Sequence, residues 1–201
     1  MKNAAEIFGN IDIYLFDQIQ KGRFTANMKI LDAGCGGGRN IGYFMRLGCD
    51  VFAVDQNPEA IEKVKLIAKT LAPGLPGSNF TAAAIEDLPF TDEYFDWVIS
   101  SAVLHFADNF DHFEAMLAEM WRVVKPGGML FARLASSIGI NDLVVEKGEG
   151  RYKLPDGSVR FLVDQDLLLS KTAELAATLL EPIKTTNVQN LRAMTTWVIR
   201  K

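Results

Sequence analysis

Four glycines are concentrated in one short stretch of the chain, Asp32 to Asn40, which reads DAGCGGGRN and begins with an acidic residue. Glycine in such a stretch permits positive φ angles and lets backbone amides approach a ligand closely. A helix that starts just beyond it favours an anionic group through its free amides and its dipole. Further along, Asp55 ends a predicted strand, where a carboxylate can accept both hydrogen bonds from a ribose diol. The stretch and Asp55 together predict a site for a ligand with a nucleoside part.

The spacing of the glycines helps to decide which nucleoside ligand this is. The dinucleotide fingerprint has glycine at its first, third and sixth positions. Counted from Gly34, Gly36 fits this pattern, but Arg39 occupies the sixth position. In addition, Asp32 lies shortly before Gly34, and its carboxylate would repel a pyrophosphate and attract an ammonium group. The stretch therefore favours a ligand with a zwitterionic amino-acid moiety over a diphosphate.

Five short apolar runs are predicted as the strands that position these residues. They are MKILDA (28–33), DVFAVD (50–55), NFTAAA (79–84), FDWVISS (95–101) and MLFARLA (129–135). Helices are predicted between them, over Arg39 to Leu47, from the Asn57 cap and Pro58 to Leu71, and over Asp111 to Val124. This alternation predicts parallel βαβ units with helices on both faces of the sheet. In an open sheet of this kind, a ligand is expected beyond the carboxyl ends of the strands.

The C-terminal part of the chain has a different pattern. Residues 151–163 predict a hairpin around Pro155-Asp156-Gly157, followed by a helix near 164–180. Two further strands are predicted at about 183–189 and 193–200. The few residues between them are too short for a parallel crossover, so these strands must pair antiparallel. The prediction is an α/β fold whose mostly parallel sheet has one reversed strand near the C-terminus.

Four segments carry a resemblance to a known family. They are ILDAGCGGGRN, VFAVDQNPEAIEKV, AAAIEDLPFTDEYFDWVISSAVLHF and EMWRVVKPGGMLFARL. Together, over residues 28–135, they resemble a class I S-adenosylmethionine (SAM)-dependent methyltransferase of the methyltransferase type 11 group. The Gly-Arg-Asn ending at residues 38–40 is shared with tellurite- and thiol-type small-molecule methyltransferases. The resemblance implies a Rossmann-like, doubly wound sheet of seven strands in the order 3-2-1-4-5-7-6, with strand seven antiparallel.

The resemblance also implies a cofactor, SAM, whose product is S-adenosylhomocysteine, and the residues that hold it. Asp32 and the backbone of Gly34–Gly36 are expected at the methionine end, and Asp55 at the ribose. Many relatives have Asp at the position of Ala84, where it accepts from the adenine amino group, so here that contact is lost or is supplied by Glu86. The expected cofactor-binding residues are Asp32, Gly34, Cys35, Gly36, Asp55, Gln56, Ala84, Ile85, Glu86 and Ser101. No metal site is expected.

The role of His105, which follows the fourth strand, is open. It lies where the methyl group should point and is the candidate catalytic base, because an unperturbed imidazole titrates near neutral pH. Alternatively, it only lines the pocket or caps the loop. His112 is interpreted as a solvent-facing helix residue. Arg133, Arg160 and Arg192 are interpreted as ordinary surface or sheet-end cations, with contact to an anionic substrate as the alternative.

Composition narrows the class of protein. The formal net charge is −4 and no run of basic residues occurs, so no nucleic-acid partner is expected. Cys35 and Cys49 are too few for a disulfide framework and lack zinc spacing. No long apolar stretch and no signal-peptide pattern occurs, so we expect no membrane partner and a cytoplasmic protein, monomeric or homodimeric.

The functional hypothesis is methyl transfer from SAM to a small-molecule nucleophile by direct SN2 displacement. The alternatives are a SAM-binding regulatory module without catalysis and, less favoured, an NAD(P)-dependent oxidoreductase. We expect a single domain over residues 1–201. Its parts are an N-terminal helical cap (1–27), the SAM-binding core (28–135), a substrate-lid insertion (136–164), and a closing helix with antiparallel strands (165–201).

Overall fold

The five parallel strands expected from the apolar runs form the centre of one sheet. The computed structural model describes residues 4–201, and the side chains of residues 6–201. The strands are β1 (Lys29–Ala33), β2 (Asp50–Asp55), β3 (Phe80–Ala82), β4 (Phe95–Ser101) and β5 (Val124–Ser136). The helices in this part are α1 (Ala4–Phe8), α2 (Ile13–Gln20), α3 (Gly42–Leu47), α4 (Pro58–Leu71) and α5 (Phe110–Arg122). Most residues of β1, β2 and β4 are buried, because helices cover both faces of the sheet.

The C-terminal part completes the sheet. It contains β6 (Val145–Gly148), β7 (Arg151–Lys153), β8 (Val159–Phe161), α6 (Gln165–Glu174), β9 (Thr178–Leu179), β10 (Lys184–Val188) and β11 (Arg192–Arg200). The sheet order is β10-β11-β5-β4-β1-β2-β3, and β11 is antiparallel to both of its neighbours in that order. This confirms the doubly wound α/β fold with a reversed strand. The prediction of seven strands omitted β9, which adds an eighth strand by pairing with the end of β11.

The predicted hairpin at residues 151–163 is confirmed as the β7–β8 pair. It belongs to a second sheet of three strands, in which β6 also pairs with β7. This small sheet occupies most of the insertion 136–164, which follows the carboxyl end of β5. A single parallel bridge, from Ser136 to Val163, ties the end of the insertion back to the main sheet.

Two helices differ from their predicted bounds for a backbone reason. The helix predicted from Arg39 begins only at Gly42, because Gly36 and Gly38 have φ angles of 50° and 77° and keep the stretch in consecutive turns. The helix predicted to reach residue 180 ends at Glu174. There, Ala176 adopts a φ of 50° and the chain turns into β9.

Alternate residues of the parallel strands pack into separate apolar clusters on the two faces of the sheet. Leu31 packs with Phe113 and Met120 of α5, whereas its neighbour Ile30 packs with Phe44 of α3 on the other face. Both faces are thereby fixed, so the carboxyl ends of β1, β2 and β4 lie at a defined edge of the sheet. Within the part of the chain that the structure describes, no helix is long and apolar enough to cross a membrane.

Candidate active site

A cavity of about 590 Å³ lies at the carboxyl ends of β1, β2 and β4. Seven of the ten residues expected to bind the cofactor line it. They are Gly34, Gly36, Asp55, Gln56, Ala84, Ile85 and Glu86. The three others do not line it: Asp32 and Cys35 are buried beneath the glycine turns, and Ser101 faces a neighbouring polar cluster.

The glycine turns form one wall of this cavity. The amides of Gly34 and Cys35 both donate to the carbonyl of Val54, at 2.8 and 3.0 Å, and so tie the turn to the end of β2. A Cβ at Gly34 would lie 2.5 Å from Val103 Cγ2, so glycine is needed there for packing. A Cβ at Gly36 would meet no atom of the described residues within 4 Å. Gly36 thus leaves open space on the side of the loop that a ligand can use.

Asp55 braces the same loop. Its Oδ2 accepts from the Gly36 amide at 2.8 Å and its Oδ1 accepts from the Asn57 amide at 2.9 Å. Each carboxylate oxygen has a further lone pair, and the side chain borders the cavity. Asp55 can therefore hold the loop and accept hydrogen bonds from a diol at the same time.

Asp32 is buried and has no partner. Its side chain is 1% exposed, and neither carboxylate oxygen has a hydrogen bond among the described residues. Burial raises the pKa of Asp32 to about 7, with nearby Arg39 opposing the shift and Asp55 adding to it. A buried polar group without a partner is rare and costly in proteins. This one fits a ligand that brings a positive charge to the glycine turns.

A buried polar cluster links the N-terminal segment to the end of the sheet. Asp12, at the cap of α2, is 2% exposed and accepts from Arg133 at 2.9 Å and from the Ser101 hydroxyl at 3.2 Å. Arg39 donates to Ser101 at 2.9 Å and lies 3.6 Å from Asp12. The hydroxyl of Ser101 thus joins Asp12 and Arg39, and the expected contact of its backbone with a cofactor stays a prediction.

The opposite end of the cavity holds His112, which the sequence analysis interpreted as solvent-facing. Its Nδ1 accepts from the Asp108 amide at 3.2 Å, and its Nε2 lies 3.6 Å from Glu86. Both Glu86 and His112 line the cavity. The sequence contains a signal for this position of His112. Asn109 caps α5, so His112 falls in the first turn, where side chains lean back towards the helix start and hence towards the strand ends.

His105 lies in a second, adjoining cavity of about 320 Å³ and does not line the first. It is 6% exposed, and its Nδ1 accepts from the Ala135 amide at 3.2 Å. The proton of the neutral ring is therefore on Nε2. Burial, followed by the charge of Arg160, lowers the pKa of His105 to about 4. At neutral pH this imidazole is uncharged and is placed as a hydrogen-bond donor.

Sequence reasoning also missed the residues that separate the two cavities. Ala102 lines both of them and, although not glycine, has a φ of 66°. Val103 and Phe106 line the first cavity from the same turn after β4. Such strained non-glycine positions cluster at functional sites, but no sequence pattern predicts which residue adopts them.

Comparison with known proteins identifies the chain's relatives. Residues 31–132 match the family model described as a methyltransferase domain. The uncharacterized methyltransferase YodH of Bacillus subtilis is 37% identical over 112 residues, which cover 56% of this chain and 45% of that protein. The ubiquinone biosynthesis O-methyltransferase of Mesorhizobium japonicum is 36% identical over 104 residues, 52% of this chain and 39% of that protein. This chain thus spans less than half the length of these curated relatives.

Among solved structures, a 1,6-didemethyltoxoflavin-N1-methyltransferase of Burkholderia thailandensis, with bound 1,6-didemethyltoxoflavin and S-adenosylhomocysteine, has the same fold. Its TM-score is 0.71 at 18% identity, and the match covers 96% of this chain and 79% of that one. The fold likeness extends beyond the segments that carry the sequence resemblance. The family model matches half of the chain, and the sheet has the strand order of the class. The chain therefore belongs to the methyltransferase domain family, the class I methyltransferases whose methyl donor is S-adenosylmethionine.

Proposed function

We propose that this chain transfers a methyl group from SAM to a small-molecule acceptor. The observation that supports this most directly is the unpartnered, buried carboxylate of Asp32 beneath glycine turns that border an open cavity. An ammonium group is the partner that this carboxylate lacks, and a methionine moiety supplies one. A diphosphate would bring negative charge to the same place, which disfavours a dinucleotide.

The residues around the cavity fit the parts of this ligand. Asp32 would hold the ammonium group and Asp55 the ribose hydroxyls, and the glycine turns would form the wall beside the methionine moiety. Ala84, Ile85 and Glu86 line the remaining wall, where the adenine would lie. When bound, SAM supplies a methyl group that an acceptor's lone pair displaces from the sulfonium sulfur, leaving S-adenosylhomocysteine. The protein's part is to align acceptor and donor and to exclude water, which can supply most of the rate of such a transfer.

The names of relatives support a small acceptor. One relative is a ubiquinone biosynthesis O-methyltransferase, and one structural neighbour methylates N1 of 1,6-didemethyltoxoflavin. The test is methyl transfer from isotopically labelled SAM to a panel of small alcohols, amines, thiols and acids, preceded by a thermal shift with S-adenosylhomocysteine. Ligand at 100 times its dissociation constant stabilises the protein by about 2.7 kcal/mol. Absence of any shift would contradict the proposal.

Removing the Asp55 carboxylate should weaken cofactor binding at least about tenfold, because each hydrogen bond to a charged acceptor contributes about 1.5–3 kcal/mol. The measurement is titration calorimetry of Asp55→Ala with S-adenosylhomocysteine and with its 2′-deoxy analogue. We expect the native protein to prefer the ligand with the 2′-hydroxyl and the variant to lose that preference. Asp50→Ala, at the other end of β2, is the control and should bind as the native protein does.

Asp55 also holds the amide of Gly36, so the analogue separates two explanations. A variant that binds both ligands weakly but still prefers the 2′-hydroxyl would mean that Asp55 acts through the loop and not on the ribose.

We expect His105→Gln to keep turnover within about threefold of native across pH 6–9. Loss of a general base would instead lower turnover by a factor of about 10²–10⁴. The reason is that His105 is already neutral and its Nδ1 is occupied by the Ala135 amide, which a glutamine oxygen can also satisfy. The measurement is a pH–rate profile of both proteins with an acceptor from the panel. A hundredfold loss with a native rate that falls through the imidazole pKa would restore the role of base.

The stability of the same variant tests whether His105 is buried and neutral in the folded protein. The unfolded chain takes up a proton on His105 near pH 6.5, but the folded chain does so only near pH 4, so the native protein loses stability as pH falls between these values. By linkage, this contributes a loss of about 2 kcal/mol between pH 7 and 5. Urea titrations of native and His105→Gln protein at both pH values should show a smaller loss in the variant. Equal losses would contradict the buried, neutral state of the ring.

A further inference from the structure

Three arginines from three different strands meet in the second cavity. Arg133 comes from β5, Arg160 from β8 and Arg192 from β11, and all three line it together with His105. Among the described lining residues, Asp156 is the one acid. From the sequence, these arginines are interpreted as ordinary surface or sheet-end cations, with contact to an anionic substrate as the alternative. They are far apart along the chain, and the fold brings them together.

Their charges are only partly balanced by the protein. In the described part of the chain, neither Arg160 nor Arg192 has a carboxylate within 4.0 Å. Asp156 already accepts the amide and the hydroxyl of Ser158, at 2.9 and 2.6 Å. Arg133 is paired with Asp12, yet its buried Nε has no hydrogen-bond partner. Arg133 shares Asp12 with Arg39, so Asp12 and Asp156 together leave the second cavity with at least one positive charge.

The second cavity adjoins the proposed cofactor cavity. Ala102 lines both, and Phe106, which lines the first, has the guanidinium carbon of Arg160 at 4.9 Å from its ring centre. A molecule in the second cavity therefore lies next to the end of β4, where the first cavity begins. The insertion 136–164 supplies Leu154 and Arg160 to its wall.

We propose that this second cavity binds the methyl acceptor and that the acceptor carries a single carboxylate on an apolar body. The inference rests on the proposed function. A guanidinium fork matches a carboxylate through two parallel hydrogen bonds, and the surplus positive charge of the cavity suits an anion of low charge. Leu154, Val188 and Met194 form the apolar part of the wall. The volume of about 320 Å³ is at the small end of the range for ligand pockets, which favours a small, single-ring or short-chain acid.

The test measures binding of matched acid and amide pairs. Benzoate with benzamide, 4-hydroxybenzoate with 4-hydroxybenzamide, and hexanoate with hexanamide are titrated by calorimetry, with and without saturating S-adenosylhomocysteine. Phenyl phosphate serves as a dianion. We expect at least one acid to bind at least tenfold more tightly than its amide and than phenyl phosphate, and S-adenosylhomocysteine to strengthen or preserve that binding.

Two variants and a control assign the preference to the arginines. Arg160→Gln and Arg192→Gln should each reduce the preference for acid over amide at least tenfold, without changing affinity for S-adenosylhomocysteine. Arg200→Gln removes an exposed arginine from the other end of β11 and should leave both affinities as they are.

Each other outcome overturns the inference. Acids and amides that bind equally, or none that bind, exclude a carboxylate site, and tighter binding of phenyl phosphate excludes a monoanion site. Acid binding that S-adenosylhomocysteine blocks excludes an acceptor site beside the cofactor. Failure of S-adenosylhomocysteine to bind the native protein contradicts the proposed function instead, and it is measured separately from the acid titrations.

Discussion

Asp32→Asn is expected to lower the affinity for S-adenosylhomocysteine about a hundredfold or more and, at pH 8, to raise the melting temperature of the ligand-free protein. Truncating one partner of a buried charge pair costs about 2–5 kcal/mol of binding, which accounts for the first effect. The second follows because Asp32 is fully buried without a partner, so the ligand-free protein holds an uncompensated charge whenever this carboxyl is ionised. One substitution should thus move binding and stability in opposite directions.

The sign of the pH dependence follows from the raised pKa. The unfolded chain releases the Asp32 proton near pH 3.8, whereas the folded protein keeps it up to about pH 7. Between these values the folded state binds more protons, so the stability that Asp32 contributes is greatest in acid and is lost as pH rises. Asparagine has no proton to lose. Its amide is also left without a partner, which costs some stability. We therefore expect the melting temperature of the ligand-free variant at pH 8 to rise by only about 3–6 °C.

The measurements are melting curves at pH 5 and 8 and titrations with S-adenosylhomocysteine over the same range. Native affinity should rise with pH as Asp32 ionises, and Asp32→Asn should bind weakly at every pH. Asp50→Asn is the matched control, because Asp50 has a protein partner in Asn79 at 3.0 Å. It should leave affinity unchanged and should not stabilise the protein. An Asp32→Asn protein that binds like the native one would remove Asp32 from the ligand site.

Much of the core fold was predictable because its signals are local. Asn57 followed by Pro58 predicts the start of α4, and the side chain of Asn57 does accept from the Glu59 amide. The continuous burial of β1 and β2 likewise follows from their apolar sequences. The two-residue strand β9 has no such signal, since it pairs with β11 only after Ala176 turns the chain.

In the candidate site, too, the residues with local sequence signals were predictable and the others were not. Gly34, Gly36 and Asp55 are close in sequence to the strand ends that place them, so their position beside the cavity was predictable. The acidic cap Asp12 and its partner Arg133 are 121 residues apart, and no local pattern links them. The position of His105 after β4 predicts that it lies near the methyl group, but the sequence does not predict that the short helical turn Leu104–Phe106 directs its Nδ1 to the Ala135 amide. A single sequence does not reveal the contacts that folding makes between residues far apart along the chain.

Gly36→Val is expected to eliminate measurable binding of S-adenosylhomocysteine while the protein still folds. A Cβ at this position would meet no atom of the described residues within 4 Å, so a valine side chain would enter open space that the ligand is proposed to fill. The amide of Gly36 is retained, so its hydrogen bond to Asp55 can persist. The loss of binding would therefore come from the side chain itself and not from a missing backbone donor.

Strain must be separated from this steric effect, because Gly36 has a φ of 50° and a β-branched residue there is unfavourable. Gly22→Val is the matched control: Gly22 has a φ of 67°, a Cβ there also meets nothing within 4 Å, and the residue is not among those that line the cavity. Both variants should lose about 1–2 kcal/mol of stability from left-handed backbone strain, measured by urea unfolding. Only Gly36→Val should lose the ligand in calorimetry. Native-like binding by Gly36→Val would show that the ligand does not approach this loop, and loss of binding in both variants would trace the effect to strain transmitted through the fold.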